Sequence, residues 1–225
     1  MSIAVPPRYC GIAADRVSNC MTAETTYKMS FTAGGLLHRE SVELARLFLS
    51  VQNWQDVSKR VLDDNLIQSR TASTSVRICR EIIMRLKWLD IEELQILTDG
   101  SIREQCQILW LAICRHHRFI RDFAIEVIRE KYLHMNLDLT YQDYDAFFNA
   151  KAEWDNALER LTIKTRSKVR QVLFRILRET DLLTKGNTIN PAMLTQRVVK
   201  TVGKKCRDDL AIFPVSEAEI RELLK

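Results

Sequence analysis

The chain has 225 residues, 46% of them hydrophobic, and 34 basic against 29 acidic side chains, for a net charge of +5. That is enough apolar material for one large core or two small ones, and the positive excess is too mild to name a partner by itself, although it suits nucleic acid. The longest uninterrupted apolar run, Ile108 to Cys114, falls far short of the roughly 20 residues that span a bilayer, and the first residues lack the basic and apolar regions of a signal peptide, so a soluble cytoplasmic protein is expected.

Residues 1–28 carry Pro6, Pro7 and Gly11 without a clear hydrophobic period and are read as an N-terminal arm. Beyond them, no proline occurs until Pro191, and the only glycines in that stretch are Gly34, Gly35, Gly100 and Gly186. Such scarcity of breakers predicts an all-α body. Gly34-Gly35 reads as a turn before the first helix, because neither G-x-x-x-x-G-K-[ST] nor G-x-G-x-x-G is present. Helices are predicted at 38–50, 54–63 and 71–89. Asp99-Gly100-Ser101 divides an N-terminal helical subdomain, 29–99, from a C-terminal one, 101–225, and Ser101 with Glu104 makes a capping box that starts the second.

The run 102–133 is one long helix or two that bend near Arg115 to Arg118. Asp138 and Thr140 are placed to cap a further helix, followed by the aromatic residues Tyr141, Tyr144, Phe147 and Phe148. Asp143, Asp145, Glu153 and Asp155 lie nearby and are read as acids meeting helix N-termini rather than as a divalent-metal site. Helices at 195–202 and from Ser216 (capping box with Glu219) to Leu224 close the chain. The six cysteines include no C-x-x-C pair and read as reduced thiols packed as small hydrophobes. Cys106, Cys114 and His117 could share a helix face, but zinc wants four closely spaced ligands, so no metal and no cofactor are expected.

The stretch from Trp154 to Pro191 carries the sharpest signal. A short helix, 154–161, and a turn at Thr162 precede a basic helix at about 165–179, whose apolar face is Val169, Val172, Leu173, Ile176 and Leu177. Lys164, Lys168, Arg175 and Arg178 fall opposite, with Gln171 among them, and no acid occurs between Thr162 and Arg178. Extended pieces around Lys185-Gly186 predict a small β-hairpin wing near 182–189. The order matches a winged helix-turn-helix, with phosphate contacts expected from Lys164, Arg166, Lys168, Arg170, Arg175 and Arg178. Val76-Arg77 parallels Val169-Arg170 and suggests a second such unit, with Val76, Cys79, Ile82, Ile83 and Leu86 inward and Arg77 and Arg80, beside Arg70, toward the open side. Arg115 and Arg118, in a basic node with His116 and His117, are further candidates.

Several stretches together resemble the BrxA family, small accessory proteins of BREX phage-defence systems. They are M-S-F-T-A-G-G-L-L (29–37), L-W-L-A-I-C-R-H-H-R-F-I-R-D-F-A-I-E-V-I-R-E-K-Y-L (109–133), L-T-Y-Q-D-Y-D-A-F-F-N-A-K-A-E-W (139–154), K-V-R-Q-V-L-F-R-I-L-R-E (168–179) and F-P-V-S-E (213–217). The resemblance runs from about residue 27 onward. It implies a mostly helical, non-enzymatic protein, likened to the antitermination factor NusB, that binds double-stranded DNA, with other BREX proteins as further partners. It brings no catalytic motif. Two other readings stay open from the residues: an adaptor whose basic faces meet acidic proteins, and an RNA binder.

Overall fold

The computed structural model describes residues 26–31 and 34–225. The arm read at 1–28 therefore lies outside the described residues up to position 25. The described chain is mostly helical. Helix α1 is His38–Val51, α2 Trp54–Asp63, α3 Ala72–Leu86, α4 Ile91–Asp99 and α5 Ile102–His116. Arg118–Phe123 (α6), a π-helical turn at Ala124–Arg129 and Glu130–Leu133 (α7) follow. Then come α8 (Tyr141–Ala152), α9 (Asn156–Glu159), α10 (Ile163–Glu179), α11 (Gln196–Lys205), a 3-10 segment (Arg207–Ile212) and α12 (Glu217–Leu223).

The starts of these helices follow their caps. Reciprocal capping boxes form at Ser101/Glu104, Thr140/Asp143 and Ser216/Glu219, and a fourth at Asp90/Glu93. Each satisfies two backbone donors that the first turn would leave bare. Of the two readings of 102–133, one long helix or two with a bend, the structure takes the second. His117 adopts φ −114° and ψ 94°, which ends α5 and starts α6. Gly100 caps α4 in an extended conformation, and a Cβ there would lie 2.5 Å from the Ile96 carbonyl oxygen, which favours glycine at this position.

Helix α5 is the axis of the core. Eight consecutive residues, Gln107 to Cys114, are buried along it. It packs on α1, α3 and α4 on one side and on α11 and the 3-10 segment on the other, and one apolar cluster runs from Phe31 to Ile220. Trp110 is fully buried and donates its indole N–H to the Ile212 carbonyl at 3.1 Å, so its one polar atom is satisfied. Burying a side chain of this kind contributes about 1.5–3 kcal/mol. A second aromatic nest joins Phe119 and Phe123 to Tyr144, Phe147 and Phe148 at edge-on geometry.

A charged cluster locks the same axis. Arg115 forks onto Glu93 at 2.7 and 2.8 Å and also binds Asp209 at 2.8 Å and the Trp88 carbonyl at 3.0 Å. Arg121 pairs with the other Asp209 oxygen. Glu93 is completely buried, so its charge depends on this fork.

Three sequence expectations need correction. The hairpin wing near 182–189 does not form. Only isolated antiparallel bridges occur there, Leu183 with Ile189 and Asp138 with Thr188. Leu182, Leu183 and Ile189 are buried, and the loop is bonded to 137–139 through Leu139 N–H to Asn187 and Ile189 N–H to Leu137. Its apolar residues pull it onto the body instead of letting it project. The helix expected at 154–161 is a single turn, Asn156–Glu159, started by the Asp155 carboxylate. Val76, expected inside, is 51% exposed.

Candidate nucleic-acid interface

Helix α10 has 17 residues, about 25 Å at 1.5 Å per residue. Thr162 starts it by accepting from the Thr165 N–H at 3.2 Å. Val169, Val172, Leu173, Phe174, Ile176 and Leu177 are buried, which fixes the rotation of the helix. What remains outside is a stripe of Ile163, Lys164, Lys168, Gln171 and Arg175, all exposed. Two open grooves lie along it. One is lined by Gly34, Lys168, Gln171, Val172 and Arg175, the other by Ile163, Lys164, Thr165, Ser167, Lys168 and Gln171.

The six basic residues of α10 divide sharply. Lys164 and Lys168 have no hydrogen-bond or ion-pair partner among the described residues. Arg175 is 63% exposed and turns its Nε to Glu179 at 2.8 Å. Glu179 also accepts from the Leu36 N–H at 2.5 Å, and a Cβ on Gly35 would sit 2.2 Å from its Oε2. The two glycines thus let the 34–37 backbone press against the end of α10, as a turn.

Arg166, Arg170 and Arg178 are spent on the fold. Arg166 stacks 4.3 Å from the Phe148 ring centroid and donates to Asp145. Arg170 lies 4.6 Å from the Tyr141 centroid and donates to the other Asp145 oxygen at 2.5 Å. Arg178 donates to the Asn187 side chain at 2.6 Å. Asp145, placed by sequence in a first helical turn, instead sits further along α8 and neutralises two α10 arginines. Asp143 and Asp155 do cap helices, whereas Glu153 follows the C-terminal end of α8.

The remaining candidates are spread out. Arg77, Arg80 and Arg70 are exposed on or just before α3. Arg115 is consumed by Glu93 and Asp209. Arg118 is half-open but lies over the Tyr27 ring and 3.5 Å from Asp122.

Cys106, Cys114 and His117 do not assemble. Cys106 turns its thiol to the Glu179 carbonyl, and Cys114 is fully buried, which pushes its thiol pKa up. The described residues do bring Glu81, His116 and His117 within ligand distance of one another. One atom of each is engaged within the protein: Trp88 donates to His116 Nδ1 at 3.1 Å, and Arg85 donates to Glu81 at 2.9 Å while His117 Nε2 lies 3.3 Å from it. A cation there would also meet the buried Arg85 guanidinium. Sequence reasoning missed this cluster because Glu81 lies 35 residues from His116; the i, i+4 spacing of Glu81 and Arg85 was its only local signal.

The BrxA family model matches residues 25–205. The chain belongs to the BrxA family. Among its relatives are the BREX protein BrxA of Bacillus cereus (strain H3081.97), 28% identical over 169 residues that cover 74% of this chain and 84% of that protein. The BREX protein BrxA of Escherichia coli O9:H4 (strain HS) is 26% identical over 146 residues, 65% of this chain and 68% of its own length. A crystal structure of an uncharacterized protein from Magnetospirillum magneticum superposes with TM-score 0.72 at 22% identity, covering 84% of this chain and 97% of that one. That likeness shows a shared fold. The BrxA match spans both α3 and α10, so both faces belong to the family's fold.

Proposed function

We propose that this BrxA-family protein serves in a BREX phage-defence system as a non-enzymatic component that binds double-stranded DNA through α10. The supporting observation is the stripe of Lys164, Lys168, Gln171 and Arg175. It is exposed from Lys164 to Arg175, carries no acid until Glu179 at the helix end, and is held in place by a fully buried opposite face. Phosphate neutralisation by such a stripe supplies affinity without base readout. Gln171 is the one residue of the stripe suited to a bidentate contact with adenine. The BREX setting rests on the relatives' names. Among the described residues no helix is long and apolar enough to cross a membrane.

The test is a mobility-shift titration of Lys168→Glu/Arg175→Glu against the parent with duplex DNA, single-stranded DNA and RNA across salt. The expected result is a loss of about 100-fold or more in duplex affinity, similar across sequences. For Lys168→Ala, the plot of log affinity against log salt should flatten by about 0.9. A folded double variant with parental affinity and slope removes α10 as the interface, and stronger binding of RNA than of duplex by the parent redirects the reading to RNA.

A further inference from the structure

The exposed side of α3 differs in kind from that of α10. At about 100° per residue, Val76, Arg80, Ser73, Met84 and Arg77 of α3 fall within an arc of about 100°, and Lys87 and Trp88 follow directly after the helix ends at Leu86. Val76 is 51% exposed, Met84 42% and Trp88 48%. Arg77, Arg80 and Lys87 stand among them without a hydrogen-bond or ion-pair partner among the described residues. The exposed positions of this face carry no acid. The one acid of α3, Glu81, turns inward to Arg85 and His117.

Trp88 is built as an anchor. Its indole N–H is donated to His116 Nδ1, and its carbonyl accepts from Arg115. Ring and backbone are therefore both fixed before any partner arrives, while half of the indole surface stays in water. A pre-set aromatic loses little freedom on binding, and tryptophan is the residue type most enriched at interface hot spots. Met84 beside it adapts its shape to what it meets. Duplex phosphates need cations and gain little from three large apolar side chains. A surface that offers apolar groups ringed by cations is complementary to one that offers apolar groups ringed by carboxylates.

We propose that the α3 face, from Val76 to Trp88, docks an acidic amphipathic helix of a partner protein. Trp88 and Met84 enter its apolar stripe, and Arg77, Arg80 and Lys87 pair with its flanking Asp and Glu. The stripe from Val76 to Trp88 is about 18 Å long, enough for three turns of such a helix. This surface is separate from the α10 stripe, and its assignment stands whether or not α10 binds DNA.

The experiment uses the full chain and a fluorescein-labelled helical peptide with leucines on one face and glutamates on both flanks. Two controls are the same peptide with Gln for Glu and a scrambled peptide of equal composition. The acidic helix is expected to bind at least tenfold tighter than either control, and more weakly as salt rises. Arg80→Glu and Met84→Glu, both at exposed positions, should each lower that affinity at least tenfold with an unchanged circular dichroism spectrum, whereas Lys168→Glu should leave it unchanged. Equal binding of the acidic and scrambled peptides overturns the proposal. So does parental peptide affinity in both α3 variants. A loss of duplex DNA binding in Arg80→Glu as large as that in Lys168→Glu would instead make the α3 face a nucleic-acid surface and overturn it.

Discussion

Helices α3 and α10 read alike in sequence and behave differently in the fold. Both begin with a threonine cap, both bury one apolar face, and both contain a Val-Arg pair at what looks like the same place. Yet Val169 is fully buried and Val76 is half exposed. Arg170 is stacked on Tyr141 and bound to Asp145, whereas Arg77 stands in solvent. The matching dipeptides point in opposite senses relative to the core. What decides whether a cation is offered to a partner is the neighbouring element. Helix α8 brings Asp145 and two aromatic rings to α10 and removes two arginines from its surface. Among the described residues nothing comparable reaches the outer side of α3, which keeps its arginines and its large apolar groups together. A basic helix is therefore not yet a binding face.

The comparison can be sharpened by substitutions that remove cations from neither open face. The largest effect is expected for Arg115→Ala, which strips the fork from the completely buried Glu93 and one bond from Asp209. Leaving that charge unpaired should cost about 3–5 kcal/mol in chemical denaturation. Arg115→Ala retaining parental stability would show that Arg115 is available as a contact residue after all. Next is Arg170→Ala, which loses a half-buried ion pair and a ring contact. It should cost about 1–2 kcal/mol of stability, discounted for partial exposure, with the DNA salt slope unchanged. A slope reduced by about 0.9 would return Arg170 to the phosphate-binding set.

The smallest effect concerns the support beneath Trp88. Burial, and then the neighbouring His117, push the His116 pKa down to about 4. An unfolded histidine takes its proton near 6.5, so the unfolded state protonates first as pH falls. Stability should therefore decline between pH 6.5 and about 4, and not recover below that window. Thermal melts over this range should show the decline, shallower in His116→Gln. A Tm independent of pH between 6.5 and 4.5 would mean that His116 is not held neutral under the Trp88 indole.

Much of this was legible beforehand. Capping boxes such as Ser101/Glu104, the scarcity of breakers and the 3.6-residue period of α10 predict the helices and the rotation of α10, because these are local signals. The exposed rank of Lys164, Lys168 and Arg175 follows from that rotation. The fates of Arg166, Arg170 and Arg115 were not legible, since their partners Asp145 and Asp209 lie more than 20 residues away. The missing wing has the same cause. Two short extended pieces around Lys185-Gly186 read as a hairpin, but the contacts that draw Leu182, Leu183 and Ile189 inward come from 137–139. Trp88 as a fixed anchor was hidden because its support, His116, is 28 residues away.

The charged cluster around Arg115 also sets an order in time. As the chain leaves the ribosome, α4 and α5 emerge together and Glu93 can meet Arg115 at once. Asp209 is 94 residues behind Arg115, and the Ile212 carbonyl that receives the Trp110 indole is 102 residues behind that ring. Until that late segment arrives, the central helix keeps an uncovered tryptophan, and Arg121 just beyond it lacks its Asp209 counter-charge. A nascent chain paused before residue 209 would hold its helices in order but its axis open. The 3-10 segment is the clasp that closes it.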